Sequence, residues 1–229
     1  MKKRHPWVED FVLGALPLAV LVVGALLLSA RLRFTVTSPD NELPHWLGTP
    51  VWKSPGSLMV LQEIIHQVNP DIVVETGTYK GGGALFFASL LDLEGRGRVV
   101  SVDIRNWQPK PVHKRVKYLI GSSVSPAVLN EVRALIEPGA VVLVDLDSNH
   151  AKSHVLSELR SYSEMVSIGS YLIVEDATTG RQPLWWETEQ EPGEAVREFL
   201  SENHLFASDG SWEKRSGDSF GNKYLRRIR

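Results

Sequence analysis

The chain has 229 residues, 43% of them apolar and 23% charged. That is ample apolar material for a core, so disorder as the main state is excluded. A formal charge of −2 carries no nucleic-acid signature, and the absence of cysteine excludes disulfide scaffolds, Cys-ligated metals and thiol nucleophiles.

Residues 1–10 form a charged tail. Phe11 to Ala30, FVLGALPLAVLVVGALLLSA, carries no charge. At a rise of about 1.5 Å per residue such a run spans roughly 30 Å, the thickness of bilayer hydrocarbon. A single-pass transmembrane anchor over 11–30 is therefore expected. A cleaved signal peptide ending near Leu28-Ser29-Ala30 and a helix buried in an oligomer are the alternatives. Residues 31–56 hold Pro39, Pro44, Pro50 and Pro55 together with Trp46 and Trp52. Free linkers carry few tryptophans, so an extended lead-in segment lying on the domain is expected.

From residue 57 to 229 strand and helix patterns alternate. Ser57 to Val68 reads as an amphipathic helix and Asp71 to Glu75 as a short apolar strand. A helix follows over Gly81 to Leu91, a strand over Gly97 to Asp103 and a third strand over Val116 to Ile120. Pro126 to Ile136 is helical, Ala140 to Asp145 a strand, Lys152 to Tyr162 a helix, Ser170 to Val174 a strand and Gly193 to Glu202 a helix. Near-continuous apolar strands separated by helices imply a doubly wound, mostly parallel α/β sheet. In such sheets ligands sit at the carboxyl ends of the strands.

Glu75, Asp103, Asp147, Glu175 and Asp176 all fall at those ends. Carboxylates gathered on one rim repel, and a cation with a polar ligand would relieve that cost. Asp103 is placed to accept from a ribose diol. Asp147, Glu175 and Asp176 are hard oxygen donors suited to Mg²⁺ or another hard divalent cation, with Asp145 on the same face behind them. His150, three residues past Asp147, could take a proton from an acceptor hydroxyl. His154, one turn on, is expected to be structural. The turn Glu75-Thr76-Gly77-Thr78-Tyr79-Lys80-Gly81-Gly82-Gly83 is neither G-x-G-x-x-G nor a Walker loop, so a dinucleotide or ATP phosphate site is weakly supported.

Trp46-Leu47-Gly48, VVETGTYKGGG, SVDIR, Gly121-Ser122-Ser123, LDSNH, GSYLIVEDA and the closing NKYLRR occur in this order. Together they resemble the class I S-adenosylmethionine (SAM)-dependent methyltransferases. More closely they resemble the cephalosporin hydroxylase family, which includes rhamnosyl O-methyltransferases. The resemblance covers residues 45 to 227 and implies a Rossmann-like fold. It implies that Glu75, Gly77, Tyr79 and Gly81 line the methionine end of SAM, that Asp103 binds the ribose and that Ser122 lies by the adenine. Asp147, Glu175 and Asp176 would hold Mg²⁺, with His150 as general base. An oxygenase is disfavoured, because none of the seven histidines has an acid two residues on.

The expected activity is a Mg²⁺-dependent SAM O-methyltransferase acting on a sugar or polyol hydroxyl, as a small molecule or a glycolipid. The alternative is a non-catalytic, membrane-anchored interaction module. Lys2, Lys3 and Arg4 against Arg31 and Arg33 lean towards a cytoplasmic N-terminus, whereas a cytosolic cofactor favours a cytoplasmic catalytic domain. A homo-oligomer is left open. Thr178 to Pro192, with Trp185 and Trp186, reads as a loop over the site, and Arg226, Arg227 and Arg229 as a solvated basic terminus.

Overall fold

The computed structural model describes residues 43–177, 192–216 and 223–229. The expected anchor at 11–30, the lead-in segment up to residue 42 and the tryptophan loop 178–191 lie outside the described residues. Among the described residues no helix is long and apolar enough to cross a membrane.

Residues 44–229 form one compact unit. It begins with a two-stranded ladder, β1 (His45–Trp46) and β2 (Thr49–Pro50). Then come α1 (Pro55–Val68), β3 (Ile72–Thr76), α2 (Gly82–Leu93), β4 (Arg98–Asp103) and β5 (Val116–Ile120). They are followed by α3 (Pro126–Leu135), β6 (Val142–Leu146), α4 (Lys152–Tyr162) and β7 (Tyr171–Val174). The chain closes with α5 (Pro192–Glu202), β8 (Phe206–Ser208), α6 (Gly210–Ser216) and β9 (Tyr224–Arg227). The expected helices and strands recur with ends shifted by one or two residues, while β1, β2, β8, β9 and α6 were not foreseen.

The main sheet runs β5-β4-β3-β6-β7-β9-β8. Its first five strands are parallel, and β9 enters antiparallel to β7 and β8. Side chains alternate between two cores. Ile72, Val74, Val100, Val144 and Val174 pack against α3, α4 and α5. Val73, Val99, Leu143 and Ile173 pack against α1 and α2. This is the mostly parallel, doubly wound sheet expected from the apolar runs.

Local chemistry sets the helix starts. Ser54 caps α1 by accepting from Ser57 N at 3.0 Å, and Pro55 fits the first turn, where its missing N–H costs nothing. Ser125 and Pro126 repeat the device at α3. The lead-in segment is fixed on α2: Trp46 meets Phe86 edge-on at 4.9 Å and donates to Ser89 Oγ at 3.1 Å. Of the C-terminal arginines Arg226 and Arg229 are exposed, as expected of a solvated terminus, but Arg227 is not simply solvated. Arg227 Nη1 donates to the backbone oxygens of Glu164 and Val166, tying β9 to the turn before β7.

Candidate active site

Strand parity gathers the acids. Glu75 and Asp145 are register partners on β3 and β6, on the face of Val73 and Leu143. The ladder continues past both strands: Asp147 N donates to Thr76 O at 3.0 Å and Glu175 N to Leu146 O at 2.9 Å. Asp147 and Glu175 therefore keep the parity of Asp145 and Ile173, and four carboxylates face one side.

A lysine from the lead-in segment sits among them. Lys53 Nζ lies 2.9 Å from Asp145 Oδ2, Asp147 Oδ2 and Glu175 Oε1, with a side chain only 2% exposed. It donates to Asp147 and Glu175. Its third contact, to Asp145, is an ion pair with a carboxylate whose side chain is fully buried. Lys223, equally buried, pairs with Glu175 Oε2 and donates to Ser57 Oγ at 2.8 Å. Part of the rim charge is offset from within the protein. Two internal ammonium groups supply counter-charge on the inner side.

The titration of this group follows from burial against charge. Burial works against the charge of Lys53, but Asp145, Asp147, Glu175 and Glu75 outweigh it and raise its pKa. Burial pushes the Glu75 carboxyl up to about 8, although Lys53 and Ser101 oppose this. It raises Asp145 as well, again against Lys53. At Glu175 burial is overcome by Lys223 and Lys53, which hold the carboxyl down at about 2.

Outside the ammonium groups lies a second cluster. Asp147, His150 and Asp176 each bring one ligating atom within 4.8 Å of the others. His150 Nε2 is 3.5 Å from Asp147 Oδ1, and its Nδ1 is 3.4 Å from Asp176 Oδ2. Burial disfavours the imidazolium, but Asp147, Asp176 and Glu175 prevail and raise its pKa. His150 Nε2 is buried without a hydrogen-bond partner among the described residues. A hard cation, or the proton of an acceptor, fits that orphaned nitrogen beside two carboxylates. Asp176 is half-exposed and takes a left-handed backbone with φ of 53°, a conformation rarely kept without cause. Glu175, expected as a cation ligand, instead has both oxygens on ammonium groups, and His150 stands in the cluster in its place.

A cavity of about 270 Å³ opens at the ends of β3, β4 and β6, lined by Gly77, Asp103, Ser122, Ser123, Ser148 and His154 among others. Asp103 is aimed by two backbone groups: Tyr79 N donates to Oδ2 and Arg105 N to Oδ1, both at 2.8 Å. Gly77 joins this cavity to the cation cluster. Its φ is +86°, and a Cβ there would lie 1.8 Å from the backbone oxygen of Asp147. No side chain fits without moving one wall.

The residues implied to line the methionine end separate. Gly77 lines the cavity; Glu75 is buried behind it, accepting from Ser101 Oγ. Gly81 starts α2, and its missing Cβ makes room for Pro111 and Tyr118. Tyr79, at φ +47°, orients Asp103 through its backbone. His154 is both structural and a lining residue. Its Nε2 lies 3.1 Å from Ser123 Oγ and Ser148 Oγ, and Ser148 donates to the buried Glu158 at 2.7 Å. Lys53, Lys223, Ser123 and Ser148 were missed. Only the excess of rim acids hinted at an internal cation.

Comparison with known proteins shows the family and the fold. The family model described as Rhamnosyl O-methyltransferase/CmcI matches residues 41–228. A rhamnosyl O-methyltransferase of Mycobacterium bovis (strain BCG / Pasteur 1173P2) is 30% identical over 182 residues, covering 77% of this chain and 73% of its own. Among solved structures, CmcI-N160 in its apo form superposes with a TM-score of 0.62 at 20% identity, over 81% of this chain and 76% of that one. CmcI-D160 with Mg-SAM superposes with a TM-score of 0.60 at 19% identity, over 86% and 84%. At these identities the two structures bear on the fold alone.

Proposed function

The chain belongs to the Rhamnosyl O-methyltransferase/CmcI family and is a SAM-dependent O-methyltransferase, and on that premise we propose that its acceptor is a hydroxyl of a sugar or related polyol. One observation carries the reading. Gly77 forms a wall of the Asp103 cavity and lies against the backbone of Asp147, so a cofactor pocket and a cation cluster share one boundary.

Membership of the family named for CmcI, one structure of which is named for Mg-SAM, supports the assignment of SAM and Mg²⁺ here. When bound, SAM supplies an activated methyl group and the cation acidifies an acceptor hydroxyl. Asp103 would accept from the ribose hydroxyls, with Gly77 and Ser122 along the cavity wall. Asp147 and Asp176 would hold the cation. Lys53 keeps Asp147 Oδ2 turned inward and leaves Oδ1 outward. His150 is the general base, receiving the acceptor proton at its orphaned Nε2 while Asp147 and Asp176 stabilise the imidazolium. Acceleration then comes from placing and polarising the acceptor oxygen.

His150→Gln tests this role. We expect kcat to fall by roughly 10²- to 10⁴-fold, with SAM affinity unchanged. A variant within threefold of wild type over the pH profile would remove His150 as base.

We further propose that residues 11–30 anchor the protein in a membrane, with the catalytic domain on the cytoplasmic side and a lipid-linked sugar as acceptor. The uncharged length of that run supports it. The full chain is expected to stay with membranes through alkaline carbonate extraction, and release into the supernatant would contradict the anchor.

A further inference from the structure

The rim of the cofactor cavity carries apolar and cationic side chains that the chemistry above does not use. Trp52, next to Lys53, is 59% exposed. Its ring meets Tyr79 edge-on at 5.7 Å, and Tyr79 meets Trp107 at 5.2 Å. Ile104 and Val112, on the loop between β4 and β5, are 70% and 99% exposed. The same loop packs beside the cofactor turn, since Pro111 and Tyr118 fill the space that Gly81 leaves.

Cations surround this patch. The Arg105 guanidinium lies 5.5 Å from the Trp107 ring centre, Lys110 Nζ 4.5 Å from that of Tyr118 and Lys80 Nζ 5.7 Å from that of Tyr79. From 104 to 115 the sequence is IRNWQPKPVHKR, without an acid. Asp92 engages His113, Lys114 and Arg115. Arg105 and Lys110 have no carboxylate partner among the described residues.

Single exposed apolar residues are ordinary, but Ile104 and Val112 lie on one loop with Trp107, Arg105 and Lys110. That composition suits the headgroup boundary of an anionic bilayer, where tryptophan rings sit at the interface and each nearby Lys or Arg adds attraction. Ile104 also lines the cofactor cavity, but a sugar alone would leave Val112 unexplained. The sequence also names the occupant. Trp52 follows the bilayer-length run Phe11–Ala30 by only 22 residues. Even fully extended, that stretch reaches about 75 Å, so an anchored domain meets the surface at high effective concentration.

We propose that Trp52, Ile104, Trp107 and Val112, ringed by Lys80, Arg105 and Lys110, form a membrane-docking face that turns the mouth of the site to an anionic leaflet. It rests on the O-methyltransferase reading and on the membrane anchor proposed with it.

The chain has no cysteine, so a single introduced one reports alone. Full-length protein bearing Val112→Cys or Ile168→Cys would be spin-labelled and reconstituted in phosphatidylcholine, with and without phosphatidylglycerol. Ile168 is 71% exposed and precedes β7, at the opposite ends of the parallel strands. Collision with oxygen against a water-soluble nickel chelate reads immersion. The label at 112 is expected to enter lipid only when phosphatidylglycerol is present, and the label at 168 to stay in water. Arg105→Glu with Lys110→Glu is expected to return the label at 112 to water, a loss of docking of at least about tenfold. A label at 112 that is aqueous in both bilayers overturns the face, as does a chain that enters neither. Immersion in both bilayers overturns the role given to the cations. Labels are read without turnover. Docking that persists in a chain unable to bind SAM would therefore sink the enzymatic reading and leave the face standing.

Discussion

Lys53→Met is expected to lower stability by about 3–5 kcal/mol, the range for removing one partner of a buried ion pair. Three carboxylates lie 2.9 Å from its ammonium, and the variant leaves them facing one another in a site from which water is excluded. Protonation would relieve part of this cost. Burial already raises Glu75 to about 8 and raises Asp145, and without Lys53 both rise further above their unfolded values. A carboxyl whose folded pKa is raised favours the folded state at low pH, and that contribution fades as pH climbs through the folded pKa. The loss should therefore be larger at pH 8 than at pH 6. Urea denaturation at the two values checks it; a loss below 1 kcal/mol, or one independent of pH, would show that Lys53 is not the counter-ion of this group.

Asp147→Ala is expected to reduce kcat/KM by at least about a thousandfold, roughly 4 kcal/mol of barrier, while leaving SAM affinity within a few-fold of wild type. Asp147 is the one residue shared by the inner ion group and the outer cluster: Oδ2 is held by Lys53, and Oδ1 is turned towards His150. Its side chain lies outside the lining of the Asp103 cavity, although its backbone oxygen meets Gly77. Loss of SAM binding in step with activity would mean that the two regions are not separable as the geometry implies. Calorimetric titration of SAM beside steady-state kinetics distinguishes these outcomes.

The sheet was legible because buried parallel strands leave unbroken apolar runs, as in VVLV before Asp145. The rim acids were legible because strand ends are marked by a change from apolar to charged. Their division was not. Whether Glu175 meets a cation or an ammonium depends on Lys53 and Lys223, which lie 122 and 48 positions away along the chain. Lys53 sits in a Trp-Lys-Ser-Pro stretch with no periodicity, and Lys223 precedes a short antiparallel strand with no alternating signal. His154 was placed on its helix correctly, yet its part in the cavity wall needs Ser123 from a different loop. Long-range pairing of single polar residues leaves no local pattern to read.

The central claim is that the Asp103 cavity binds SAM beside an independent cation cluster. Its most direct test is calorimetric titration of SAM into the full chain, with Mg²⁺ and with chelator, for wild type and Asp103→Ala. The account predicts micromolar or tighter binding by wild type under both conditions and at least a hundredfold loss in Asp103→Ala. A folded wild type that binds no SAM, or an Asp103→Ala variant that binds it equally well, would contradict the account.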